Sequence, residues 1–231
     1  MSSFAINVMP TGSQDPFGLR RQCLGVIGVV SAFWNLDLLN LIEKISKLYE
    51  RFTSNTSELV KKTADFFVQR LKADYQSNYK FDEIEAVLNS KYPLIVNNHQ
   101  KTFKAIKAFK QTNYLPVIES LTRIKNIVEK QKFEETDTVL NETMLATKEE
   151  VDLFNALQKL TTNLSDLVLL KGFSSFEREL ENLNILILPI TNLFNNVLIM
   201  DKDDKVKNIR LKLLKNVYDY SKLIADITLL K

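Results

Sequence analysis

The chain has 231 residues, of which 45% are hydrophobic and 26% charged; this is enough apolar content for a folded core and argues against a disordered polymer. Its 31 basic and 28 acidic residues nearly cancel, so the formal net charge of +3 gives no reason by itself to expect a polyanionic partner. One cysteine and one histidine exclude a disulfide scaffold and a zinc site built from Cys and His.

Composition breaks early in the chain. Gly12, Gly18, Gly25 and Gly28 all precede residue 30, and Gly172 alone serves the rest. Residues 1–32 therefore read as a turn-rich N-terminal segment, and residues 33–231 as a single helical-bundle domain. Within the first segment Arg20 and Arg21 precede an apolar run from Cys23 to Val30, followed by Val30-Ser31-Ala32. A basic region, a short apolar stretch and small residues before a cut are the marks of a secretory signal peptide. The expectation is a secreted, extracellular protein with a mature N-terminus at Phe33. A cytoplasmic protein is the alternative, in which the same residues begin a buried helix. A membrane anchor over residues 23–42 would have to place Asn35, Asp37 and Asn40 in lipid, which is costly.

From residue 34 onward apolar residues recur at three- and four-residue steps, the period of helices. Leu38, Leu41, Ile45, Leu48 and Phe52 form one stripe, and Leu59, Phe66, Phe67 and Leu71 continue it, as one long helix or as two joined near Ser54 and Asn55. A helix over residues 82–90 opens with Asp82 and Glu85 spaced as a capping box and ends before Pro93. Residues 94–113 form the next helix, and Pro116 sits where a further one begins, with Val117, Leu121, Ile124 and Val128 on its face. The acidic run at 134–137 reads as a loop. Thr147 and Glu150 form a second capping box before Leu153, Leu157, Leu160, Leu164 and Leu167, with Gly172 as a C-terminal cap. Ser174 or Ser175 caps a kinked helix whose seam is Phe176, Leu180, Leu183, Ile187, Ile190, Phe194 and Val197, running through Pro189. The last helix follows residues 201–204 and shows Leu213, Val217, Tyr220, Ile224 and Ile227. The fold class is all-α, an antiparallel bundle of about five to seven long amphipathic helices.

Catalytic groups are scarce. His99 is the only histidine and lies in the polar stretch VNNHQK, where it reads as a solvated or capping residue rather than a general base. With one glycine after residue 30 there is no dinucleotide fingerprint, and the acidic residues 201–204 lack the central glycine and twelfth-position glutamate of a calcium loop. No catalytic residue, cofactor or metal site is assigned, and the protein is expected not to be an enzyme.

What remains is segregated charge. No Asp or Glu occurs between Glu85 and Glu119, whereas Lys101, Lys104, Lys107 and Lys110 fall on one half of a helix opposite Phe103, Ile106 and Phe109. Those four lysines are the candidate surface-binding residues. The same basic face would also arise as a solvated surface, or one paired with the acidic stretch at 134–152. The expected function is non-enzymatic binding of a protein partner or a lipid or other apolar ligand through amphipathic helices, with an anionic membrane surface as a further partner. A membrane-active or pore-forming protein and an intracellular helical scaffold are the alternatives. Nucleic acid is not expected, because the overall charge is balanced and the aromatics lie on seams rather than among the lysines.

Overall fold

A computed structural model describes residues 1–33, 36–53, 55–131, 139–161 and 176–231. The chain divides into two compact units, residues 1–103 and residues 104–231. The boundary between them falls inside a helix, after Phe103. The all-α class is as expected: helices carry the described residues, and the single bridge between Thr11 and Gln14 is the one strand-like pairing among them.

The first unit contains α1 (Ser2–Ala5), α2 (Leu19–Phe33), α3 (Leu38–Ser46), α4 (Thr56–Tyr75) and α5 (Phe81–Leu88), and α6 (His99–Phe109) begins in it. Helix α4 is its centre, touching α1, α2, α3 and α5. Phe4 is buried edge-on against Phe66, with ring centroids 5.2 Å apart. Leu19, Cys23, Ile27 and Val30, spaced by four, four and three, are the buried face of α2. Residues 20–32 are thus a core-forming helix, and the spacing that resembled a cleavable signal is that of a helix with one inward face. Burial pushes the Cys23 thiol up to about 12 against the opposing charge of Arg70, so it is not a nucleophile at neutral pH.

Helices α3 and α4 are separate, with Asn55 at the junction. Its side chain accepts the Glu58 N–H at 2.9 Å, capping α4. Replacing Asn55 by Ala should cost about 1 kcal/mol in thermal or urea unfolding, whereas Ser should keep most of the cap. Because α3 stops at Ser46, the stripe predicted through Leu48 and Phe52 is lost: Leu38, Ile42 and Ser46 face inward, and Leu48 and Phe52 are exposed. The capping box of α5 also lies two residues earlier than expected. Glu83, not Glu85, reaches back to the Lys80 N–H at 3.3 Å, and Glu85 pairs with Lys72.

The second unit holds the rest of α6, then α7 (Leu115–Lys130), α8 (Lys148–Thr161), α9 (Phe176–Asn182), α10 (Ile187–Asn196) and α11 (Asp204–Ser221). Helix α7 packs on α10 and α11, and so does α8. Leu153, Leu157 and Leu160 of α8 are buried as the heptad spacing predicts; Leu164, Leu167, Gly172, the serine caps and the 134–137 run lie outside the described residues. The kinked seam is present: Phe176, Leu180, Leu183, Ile190 and Val197 are buried as predicted, while Leu186 and Leu193 take the inward places expected of Ile187 and Phe194, which are only partly buried. A tight 3₁₀ stretch, Leu183–Leu186, separates α9 from α10.

Candidate functional site

The second unit is fastened by a buried ionic cluster. Thr147 Oγ1 accepts the Glu150 N–H at 3.3 Å, and Glu150 Oε2 accepts the N–H groups of Ala146 and Thr147 at 2.7 and 3.3 Å, closing the predicted capping box. The other carboxylate oxygen of Glu150 accepts from Arg210 Nε at 2.5 Å. Arg210 Nη1 donates to the Leu198 carbonyl and to Asp201, each at 2.8 Å. Glu150 is 1% exposed and Arg210 6%. Burial alone would depress the guanidinium; its hydrogen bonds to Glu150 and Asp201 outweigh that and hold its pKa above the ordinary value. Asp201 is held below the usual carboxylate range by the Asp203 N–H and by Arg210. One arginine of α11 thereby fixes both the start of α8 and the turn after α10. Asp203 caps α11 by accepting the Lys205 N–H at 2.8 Å, as the N-cap reading of residues 201–204 requires.

A second cluster secures the other end of α11. Asp226 accepts from Tyr218 Oη at 3.0 Å and from Thr228 Oγ1 at 2.5 Å, and Lys125 of α7 lies 3.4 Å from it. Burial and the neighbouring Asp226 charge raise the Tyr218 hydroxyl well above its ordinary pKa. These carboxylates are consumed by fixed partners, and among the described residues no group of His, Cys, Asp and Glu could hold a metal ion. The unit is built to hold helices in place and to present their outer faces.

His99 departs from its predicted role. It is 3% exposed at the start of α6, with Nδ1 2.8 Å from Tyr75 Oη, beside Tyr75 and Phe103 packed edge to face and Tyr79 stacked on Phe103 with centroids 3.6 Å apart. Burial pushes its pKa down to about 4 against a raising contribution from the Pro93 carbonyl, so the ring is neutral and structural. The polar letters around it concealed that α6 turns this residue inward with Thr102, Phe103 and Ile106.

The candidate lysines lie where the helical wheel put them. Lys101, Lys104 and Lys107 are exposed and Lys110 is partly so, while Phe103, Ile106 and Phe109 are 1%, 0% and 2% exposed. On α11, Lys207 pairs with Asp204, and Lys215 with Asp219 at 2.5 Å.

Comparison with known families matches residues 1–89 to the Glycyl-tRNA synthetase beta subunit family and residues 117–224 to the DALR anticodon binding domain. The chain is 31% identical over 231 residues to the glycine–tRNA ligase beta subunit of Thermodesulfovibrio yellowstonii, 97% of this chain and 32% of that protein. It is 32% identical over 222 residues to that of Rickettsia canadensis, 94% of this chain and 31% of the relative, and 28% identical over 227 residues to that of Clostridioides difficile, 97% and 32%. The chain thus spans about a third of the length of these curated relatives.

These matches overturn several expectations. Secretion and a signal peptide fail because the synthetase-family match runs through residues 20–32, which the structure shows as core helix α2. The non-enzymatic reading, with its lipid or protein partner, fails because the relatives are subunits of a tRNA ligase. Setting nucleic acid aside fails because the second unit resembles an anticodon binding domain. A whole-chain charge of +3 averages over basic and acidic stretches, and it is the local face that meets a phosphate chain.

Proposed function

We propose that this chain supplies the tRNA-binding part of a glycine–tRNA ligase, inside the cell, with the second unit receiving the anticodon. The observation that carries this reading is coincidence of boundaries. The anticodon-domain match, residues 117–224, begins two residues into α7 and ends just beyond α11, and so falls within the unit at 104–231. Anticodon loops present unstacked bases, which proteins read by their edges and by stacking, and this requires a surface that does not rearrange. The Arg210 and Asp226 clusters provide that rigidity by tying α11 to α8 and α7. The larger reaction, attachment of glycine to tRNA, is assigned to the assembly that this chain would serve, in keeping with its span of about a third of its relatives.

The test is equilibrium binding of glycine tRNA and of the same tRNA with its anticodon bases replaced. The expected result is weaker binding of the substituted tRNA by about tenfold or more, since a mismatch in a read base costs on the order of 1–3 kcal/mol. Equal affinity for both would contradict anticodon recognition.

A further inference from the structure

The segment between the two family matches, residues 90–116, belongs to neither; it lies within the acid-free stretch and contains α6. We infer that the outer face of α6, carrying Lys101, Lys104 and Lys107, with Lys110 just past its end, is a second RNA contact that tracks the sugar-phosphate backbone of the tRNA outside the anticodon. The inference rests on the tRNA reading of the chain and deepens it.

Three observations carry it. The first is the segregation of charge in sequence. Thirty-three consecutive residues, 86–118, contain no carboxylate side chain, so no acid on α6 itself offsets its lysines. Among the described residues, neither Lys101 nor Lys104 forms an ion pair.

The second is geometry. Side chains three residues apart step about 4.5 Å along a helix, so Lys101 to Lys110 rise over about 13–14 Å, a span comparable to two or three successive phosphates. The ridge is set on a fixed support, because the opposite face of α6 is anchored by buried Phe103, Ile106 and Phe109.

The third is what that anchoring excludes. A basic amphipathic helix that lies on a membrane inserts its apolar face among the acyl chains. Here that face is already used in the core, and only the charged side is offered. An electrostatic surface with no apolar residue to insert fits a phosphate chain in water. Contacts of this type position a nucleic acid and carry no sequence information.

The experiment compares the full chain with a variant in which Lys101, Lys104, Lys107 and Lys110 are all changed to Gln, a similar helix former. Helix content by circular dichroism should be unchanged. Affinity is measured for glycine tRNA and for its anticodon-substituted form from about 50 to 200 mM salt. The variant should bind both tRNAs more weakly by the same factor, about tenfold or more at the lowest salt. The slope of log affinity against log salt should fall by about 2–3, since each lost phosphate contact removes a little under one. If wild type and variant share affinity and slope, the α6 face is not an RNA contact, and anticodon discrimination by the wild type would show that the broader reading survives without it. If the lysines matter but the anticodon does not, the α6 contact stands and the anticodon reading fails. Vesicles of phosphatidylglycerol and phosphatidylcholine serve as a further arm. Lysine-dependent sedimentation with vesicles, without lysine-dependent tRNA binding, would assign the face to a membrane and overturn the inference.

Discussion

Replacing Arg210 by Ala is expected to cost about 3–5 kcal/mol, the range found when one partner of a buried ion pair is removed. The charge left behind is Glu150, 1% exposed, with one carboxylate oxygen still bonded to Ala146 and Thr147 and the other without its guanidinium. The Leu198 carbonyl and Asp201 lose their donor as well. Arg210→Lys should recover only part of the loss, because one ammonium cannot reproduce the fork that meets three acceptors. The double replacement Arg210→Met with Glu150→Gln should be less destabilising than Arg210→Ala alone, because it leaves no buried unpaired charge and keeps a side-chain oxygen for the α8 cap. Urea unfolding followed by circular dichroism checks the series. An unchanged midpoint for Arg210→Ala would show that the cluster does not hold the unit.

The second large effect concerns acid. His99 titrates near 6.5 when unfolded and is pushed down to about 4 when folded, so between those values the unfolded chain binds the extra proton. Stability from the neutral buried ring is therefore fully present above about pH 6.5. It is lost as pH falls through the window from 6.5 to about 4, reaching roughly 3 kcal/mol, and it changes little below that. Changing His99 to Gln, which cannot titrate, should flatten this part of the stability curve, at the expense of the Tyr75 contact at all pH values. Unfolding midpoints at pH 7.5, 6 and 5 for both proteins decide it. Parallel curves would mean that His99 is not the group responsible.

The fold was legible where local chemistry sets it. Thr147 and Glu150 announced their capping box by spacing, and Leu153, Leu157 and Leu160 announced their burial by period. The partner of Glu150 was not legible, because Arg210 lies 60 residues away and is chosen by how α8 and α11 meet. The seam through Pro189 was read correctly at Phe176, Leu180, Leu183, Ile190 and Val197, and missed only at Leu186 and Leu193, because three- and four-residue steps both fit a helical stripe and packing chooses between them. The signal-peptide error has a similar origin. Residues 20–32 satisfy two patterns at once, and the contacts of α2 with α4 identify them as core helix.

The candidate site was half legible. The exposed lysines and their buried apolar back are placed as the sequence drew them, but what such a face binds is not legible, because an exposed row of ammonium groups attracts lipid headgroups and nucleic-acid phosphates by the same force. The second unit carries no short motif of fixed chemistry. Its resemblance to an anticodon binding domain is spread over 108 residues, and only comparison along that length brings it out.

The most direct test of the account is photochemical crosslinking of this chain to glycine tRNA carrying a photoreactive base in the anticodon, followed by mapping of the attached peptide. The account predicts attachment within residues 117–224, competed away by unlabelled glycine tRNA and much less by the anticodon-substituted form. Attachment confined to residues 1–89, or none that native tRNA competes away, would contradict it.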